Sequence, residues 1–357
     1  MNNILDKIEQ IKKLDSQNML GSLQMLANQV VEVLNYSKNL KIPASYKQID
    51  RILVVGMGGS ALGSHVFKTL YKDELKVPVE INNDYHIPKF VNSKTLVIVS
   101  TYSGSTEETL NAVREALKSK AKIIGITSGG KLGDWLKKNK LPVLQFTTKS
   151  NPCGSPRMGL GYSIMGQLIL LSKIGLIRLG KKDYQDIADT INRSELLFGV
   201  NNQKKYNPAK LIAIDLLDKE VFYIGAEHLS GNAHIMANQM NENAKRFSTY
   251  FLIPELNHHL LEGMIYPQNN KNNLVFLLVN SNLYDKKVQK RFDITVDVLN
   301  KNKIRNFTYI CGEKTKLEQV LEVLILGSYI SYYSAILQGI DPTAIPFVDY
   351  FKKQLAK

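Results

Sequence analysis

Val54-Val55-Gly56-Met57-Gly58-Gly59-Ser60-Ala61-Leu62-Gly63-Ser64, VVGMGGSALGS, is a glycine turn between an apolar run and a predicted helix over 60–70. Gly56, Gly58 and Ala61 satisfy the G-x-G-x-x-G/A pattern of a dinucleotide-binding turn. Glycine lets the backbone turn tightly and approach a ligand closely. The helix start offers N–H groups and a partial positive charge to an anion. Ser60 adds a hydroxyl there, although it could equally be an N-cap. A dinucleotide also needs an acidic residue about 20 positions further on. Glu80 and Asp84 stand within that range, so the turn by itself leaves the ligand open.

Outward from this turn the chain alternates. Ile52–Val55, Val79–Ile81, Leu96–Ser100, Ile123–Ile126 and Val143–Phe146 are short apolar runs rich in β-branched residues. Helix-length segments separate most of them, which predicts βαβ units and a parallel sheet covered on both faces. Pro78 suits the start of an edge strand. A helix over 158–176 closes this domain. A second alternation follows with Val221–Ile224, Thr249–Leu252, Leu274–Val279 and Phe307–Ile310, and with helices over 230–245, 286–301 and 315–338. Residues 2–35 read as amphipathic helix, with Ile4, Ile8, Ile11 and Leu14 at helical spacing. The expected division is an N-terminal helical segment (1–48), a first α/β domain (49–180), a helical linker (181–207) and a second α/β domain (208–357) with a C-terminal helix.

The 357 residues favour two domains over one core. A hydrophobic content of 44% is that of a folded protein. The formal charge of +14 comes from 46 basic and 32 acidic residues. Such a balance would attract an anionic substrate. The lysines are scattered, and pairs such as Lys204-Lys205 and Lys286-Lys287 lie among polar residues, so no nucleic-acid or membrane partner is expected. Cys153 and Cys311 supply neither a disulfide framework nor a Cys-based metal site. The charged start MNNILDKIEQIKKLD is unlike a signal peptide. The uncharged run Met158–Ser172 is shorter than the roughly 20 apolar residues that span a bilayer. A cytoplasmic protein is expected.

A second loop, Ser100-Thr101-Tyr102-Ser103-Gly104-Ser105-Thr106-Glu107-Glu108, follows the third run. Ser105 and Glu108 match an S-x-x-E capping box. That leaves Thr101, Ser103 and Thr106 without a structural task, and a hydroxyl-rich loop at a helix start suits the oxygens of a phosphomonoester. The loop lacks the lysine of a P-loop. In a parallel sheet both loops lie at the carboxyl ends of strands, where ligands of open α/β sheets bind.

Three further segments carry groups able to do chemistry. In Asn151-Pro152-Cys153-Gly154-Ser155-Pro156-Arg157, Arg157 stands before a long apolar helix. It is either an oxyanion stabiliser or a surface arginine poorly placed at a helix start. Glu242 is the lone carboxylate between Ser230 and Phe251, and its bland alternative is a solvated pair with Lys245 or Arg246. Pro254-Glu255-Leu256-Asn257-His258-His259 offers an acid/base histidine. Metal binding is disfavoured, because no second Glu/His pair and no H-x-x-x-H accompanies it.

GMGGSALGS, STYSGSTEE, SPRMGLGYS, NENAK, PELNHH and GIDPTAIPFVDYFKK occur in the order seen in bifunctional phosphoglucose/phosphomannose isomerases, which are sugar-isomerase (SIS) domain proteins. The chain resembles this family from about Arg51 to Lys352. The resemblance implies an α/β fold of two SIS domains, each a parallel β-sheet flanked by helices in a three-layer αβα sandwich. It implies a homodimer without cofactor or metal that interconverts glucose or mannose 6-phosphate with fructose 6-phosphate. Carried over residue by residue, Ser60, Thr101, Ser103 and Thr106 would hold the phosphate, lined by Gly58, Gly59 and Ser105. Arg157 would stabilise an enediolate and Glu242 would be the base. His258, supplied across the dimer interface, would assist ring opening. Lys352 would assist ring opening or bind substrate, with Lys353 its rival. Thr101 stands where serine is more usual and keeps the hydroxyl.

Three alternatives stay beside this reading. An isomerase of the glucosamine-6-phosphate synthase type needs an N-terminal glutaminase domain, whereas this chain starts MNNILDK and ends DYFKKQLAK. A non-catalytic sugar-phosphate-binding regulator would keep the hydroxyl loops and could dispense with Glu242, Arg157 and His258. A dinucleotide enzyme would use the glycine turn for a pyrophosphate.

Overall fold

Residues 4–355 and 357 are described by a computed structural model. The chain divides into two units. One is Gln24–Asp189, and the other is Thr190–Lys357 with the N-terminal stretch ending at Leu23.

The amphipathic helix expected over 2–35 is there in several pieces, and its residues 2 and 3 lie outside the described set. A 3-10 turn at Ile4–Asp6 is followed by α1 (Ile8–Leu14), α2 (Met19–Gln24) and α3 (Leu26–Ser37). The first break is chemical. The Asp15 carboxylate accepts from the N–H groups of Met19 (2.7 Å) and Leu20 (2.8 Å), so it satisfies donors at the start of a new helix. Asn18, at φ 57°, lies in the left-handed region where a helix does not continue.

The first sheet is built from β1 (Arg51–Val55), α4 (Leu62–Leu70), β2 (Val79–Asn82), β3 (Thr95–Ser100), α5 (Glu107–Lys118), β4 (Lys122–Thr127), α6 (Gly130–Lys138), β5 (Val143–Gln145) and α7 (Leu160–Ile174). Its order is β2-β1-β3-β4-β5, parallel throughout. Successive strand residues face opposite sides. Leu53, Val55, Val97 and Val99 pack with Val113 of α5 and Leu136 of α6 on one face. On the other, α7 comes so close that a Cβ at Gly166 would touch Ile126 and Leu144. With α4 and α3 packed on α7, the sheet lies between two helical layers. Every residue of β3 is buried, as a central parallel strand requires. The strand after Pro78 is an edge strand.

Helix α8 (Lys181–Phe198) leads into the second unit. There α9 (Pro208–Asp215), β6 (Glu220–Ala226), α10 (Ser230–Ala244), β7 (Ser248–Ile253), α11 (Asn270–Asn273), β8 (Leu274–Asn280), α12 (Lys286–Lys301), β9 (Arg305–Ile310), α13 (Lys316–Leu337) and α14 (Pro346–Leu355) follow. The sheet order is β7-β6-β8-β9, again parallel. Thr315 and Glu318 form a true capping box at the start of α13. By length and composition α13 is apolar enough to cross a membrane, but it is buried from Gln319 to Leu337 as a core helix packed on α9 and α10. In both sheets the first strand lies inside and the strand order reverses beside it, between β1 and β3 and between β6 and β8.

Candidate active site

The strand order reverses between β1 and β3, and ligands of open α/β sheets bind at such a point, outside the carboxyl ends of the strands. Gly58 adopts φ +48° and starts the 3-10 turn Gly58–Ser60. Ser60 does not cap α4: the N-cap is Ala61, with no side-chain cap bond. Instead, Ser60 Oγ accepts from the Tyr102 N–H at 2.8 Å. The Ser60 carbonyl accepts from Ser100 Oγ (2.7 Å) and Ser163 Oγ (3.3 Å). Ser60 is therefore a seam between loops, and its hydroxyl keeps a proton to donate.

In the second loop Thr101 is buried, and its Oγ1 lies 3.1 Å from Thr106 Oγ1. Ser103 and Ser105 are exposed, and Ser103 Oγ accepts from the Ser105 N–H at 3.3 Å. The Ser105–Glu108 capping box does not form. Thr106 is the N-cap of α5, without a side-chain cap bond, because the helix begins one residue later than that box requires. The turn after β4 backs this loop. Ser128 Oγ donates to the Tyr102 carbonyl (2.8 Å), and a Cβ at Gly104 would stand 1.9 Å from the Gly129 carbonyl oxygen. Gly59, Ser60, Thr101, Tyr102 and Ser163 line one small pocket. Ser105 does not line that pocket and lies on an open groove with His86, Arg114 and Lys131.

Arg157 is 2% exposed, so the surface-arginine alternative is excluded. It lies in the 3-10 turn Pro156–Met158 before α7. Gln29 of α3 holds this segment at three points: Nε2 donates to the carbonyls of Ser150 and Met158, and Oε1 accepts from the Gly161 N–H, each at 3.0 Å. Glu32 accepts from Ser150 Oγ and Tyr162 Oη, both at 2.7 Å. Asn151 Nδ2 donates to Tyr102 Oη (2.8 Å) and to the Ser155 carbonyl (2.9 Å). A Cβ at Gly59 would lie 2.8 Å from the Arg157 nitrogen. The glycine turn, the hydroxyl loop and the arginine turn thus meet within one unit. A guanidinium buried there acts on charge with little solvent screening. Gln29, Tyr102 and Asn151 escaped the sequence reading because Gln29 and Tyr102 each find their partners far along the chain.

The other candidates belong to the second unit. Glu242 is half-buried near the end of α10. Arg246, one of its suggested partners, directs its guanidinium to the Leu216 carbonyl and to Gln338 Oε1. Lys245, left-handed at φ 51°, donates to the carbonyls of Asn243 (3.0 Å) and Asp341 (2.7 Å). His258 is exposed at the end of the turn Glu255–His258, and Glu255 pairs with His259 at 2.9 Å. Lys352 and Lys353 are both exposed on α14. Among the described residues, no three His, Cys, Asp or Glu side chains come together as a metal site.

The reversal between β6 and β8 is filled by the protein's own side chains. His228 Nε2 bonds Gln319 Oε1 at 2.9 Å, Ser281 Oγ donates to the same oxygen at 2.6 Å, and the Tyr284 ring lies edge-on to His228 at 5.2 Å. Burial lowers the His228 pKa to about 4, although its bond to Gln319 opposes this.

Comparison with known proteins adds to this geometry. Residues 205–355 match the bacterial phospho-glucose isomerase C-terminal SIS domain, and residues 45–132 match the SIS domain. A bifunctional phosphoglucose/phosphomannose isomerase of Caldicellulosiruptor bescii is 32% identical over 346 residues, 95% of this chain and 99% of that one. One from Thermoplasma volcanium is 31% identical over 337 residues, 91% of this chain and 98% of that one. A crystal structure of a hypothetical protein from Thermus thermophilus shares the fold, with a TM-score of 0.73 at 18% identity over 98% of this chain and 94% of that chain. With its two parallel sheets and its end-to-end match to these isomerases, the chain belongs to the bifunctional phosphoglucose/phosphomannose isomerase family.

Proposed function

We propose that this protein interconverts glucose 6-phosphate and mannose 6-phosphate with fructose 6-phosphate, by ring opening and proton transfer through a cis-enediol. The observation that carries the reading is the meeting of two hydroxyl-bearing loops with buried Arg157 at the β1/β3 reversal. Ser60, Thr101, Ser103 and Thr106 hold the phosphate, with Gly58, Gly59 and Ser105 around it. The phosphate is remote from the reacting carbons, and its binding orients C1 and C2. Glu242 carries the proton between those carbons on one face of the enediol. Arg157 neutralises the oxyanion that develops. His258, exposed in its own chain, reaches the site of a second copy in a homodimer and opens the sugar ring. Lys352 assists at the ring oxygen or binds substrate. Glucose and mannose phosphates yield the same enediol, so one apparatus serves both.

A coupled assay on fructose 6-phosphate, following glucose 6-phosphate and mannose 6-phosphate separately in the presence of a chelator, tests this. Both products are expected, and formation of neither would sink the reading. Glu242→Gln is expected to keep substrate binding and to lower kcat by about three orders of magnitude or more. Full turnover in that variant removes Glu242 as the base.

A further inference from the structure

We propose that Tyr102 and Asn151 form a positioning link through which the phosphate-holding loop sets the placement of Arg157. The inference rests on the isomerase reading above and adds two residues to it.

The main chain of Tyr102 belongs to the phosphate loop. Its N–H donates to Ser60 Oγ (2.8 Å), and its carbonyl accepts from the N–H (3.1 Å) and the Oγ (2.8 Å) of Ser128. Its ring belongs to the arginine turn. A Cβ at Gly159, two residues beyond Arg157, would lie 2.6 Å from Tyr102 Cε2. Its hydroxyl accepts from Asn151 Nδ2 at 2.8 Å, and the second N–H of that amide goes to the Ser155 carbonyl at 2.9 Å. Asn151 is 2% exposed, and its Oδ1 accepts from Cys153 Sγ at 3.4 Å. One buried amide nitrogen thus serves the loop that holds the phosphate and the turn that holds the arginine. Burial raises the phenol pKa of Tyr102, so the hydroxyl stays neutral.

A phosphate that takes the Ser60 proton as a hydrogen bond also sharpens Ser60 as the acceptor for the Tyr102 N–H. The ring of Tyr102 is wedged against Gly159, so a shift of its backbone is passed to the turn. Misplacing a catalytic group by about 1 Å costs on the order of 100-fold in rate. Such a link makes the energy of phosphate binding appear in kcat rather than in KM.

The test is steady-state kinetics of the full chain on fructose 6-phosphate. Tyr102→Phe keeps the ring and removes the hydroxyl's hydrogen bonds to Asn151 and Thr148. Its kcat is expected to fall about 10- to 100-fold, with KM changed less than about twofold and the thermal midpoint lowered by only a few degrees, since one buried N–H loses its partner. In an Arg157→Lys background the same change is expected to alter kcat less than about twofold. Asn151→Ala is expected to reproduce the loss and to make Tyr102→Phe silent when combined with it. A wild-type kcat in Tyr102→Phe, a loss confined to KM, or full additivity with Arg157→Lys overturns the link. A wild-type protein that does not turn over fructose 6-phosphate fails before any variant is compared, and that result removes the isomerase reading and the link with it.

Discussion

Gly59 is constrained by a neighbour rather than by its backbone angles. It has no positive φ, yet a Cβ there would stand 2.8 Å from the Arg157 nitrogen and 3.0 Å from its Cα. These atoms belong to backbone and cannot swing aside. Gly59→Ala is expected to cost about 1–3 kcal/mol by overpacking. It is also expected to lower kcat more than KM, because the displaced residue is Arg157. Urea unfolding and steady-state kinetics check the two halves, and a variant as stable and as fast as wild type would refute the contact. In the sequence, Gly59 reads only as part of a turn that admits a phosphate. Its partner lies almost a hundred positions further on, and nothing local announces it. Ser60 changed in the same way, from a possible N-cap to the acceptor of the Tyr102 N–H.

At the scale of elements, the two sheets repeat one strand order and treat their reversal points differently. The β1/β3 reversal is lined by glycine and hydroxyl groups, whereas the β6/β8 reversal is packed with His228, Gln319, Ser281 and Tyr284. Burial holds the folded pKa of His228 near 4, below its value of about 6.5 in an unfolded chain. Between these values the unfolded state binds more protons, so stability falls as pH drops from about 6.5 to about 4. The contribution is on the order of 3 kcal/mol. Urea unfolding at pH 7, 5.5 and 4 should therefore show a steeper loss in wild type than in His228→Gln. Equal slopes would mean that His228 is not held neutral by its packing. The strands were legible in the sequence because β-branched runs are strong local signals. The break in the helix expected over 2–35 was not, because apolar spacing continues across the point where the Asp15 carboxylate makes it.

For the whole molecule, α14 presents Phe347 (86% exposed), Tyr350 (64%), Phe351 (60%) and Leu355 (63%). Apolar residues at this spacing share one helix face, and such a face is characteristic of an interface. In the proposed homodimer, Phe351→Glu is expected to weaken association and lower turnover, with sedimentation velocity and the coupled assay as readouts. Mixing His258→Ala with Glu242→Gln, each inactive alone, should restore activity after subunit exchange if His258 acts across the interface. A mixture that stays silent would return His258 to its own chain. The sequence by itself determined the α/β class, the positions of the strands and the hydroxyl-rich loops, because hydrophobic periodicity and glycine turns are written over a few neighbouring residues. Only the tertiary structure decided that Arg157 is buried, that Gly59 leaves room for it, and that Gln29, Asn151 and Tyr102 hold the turn around it. Those assignments depend on buried polar groups finding partners, and the folded backbone brings those partners together from distant parts of the sequence.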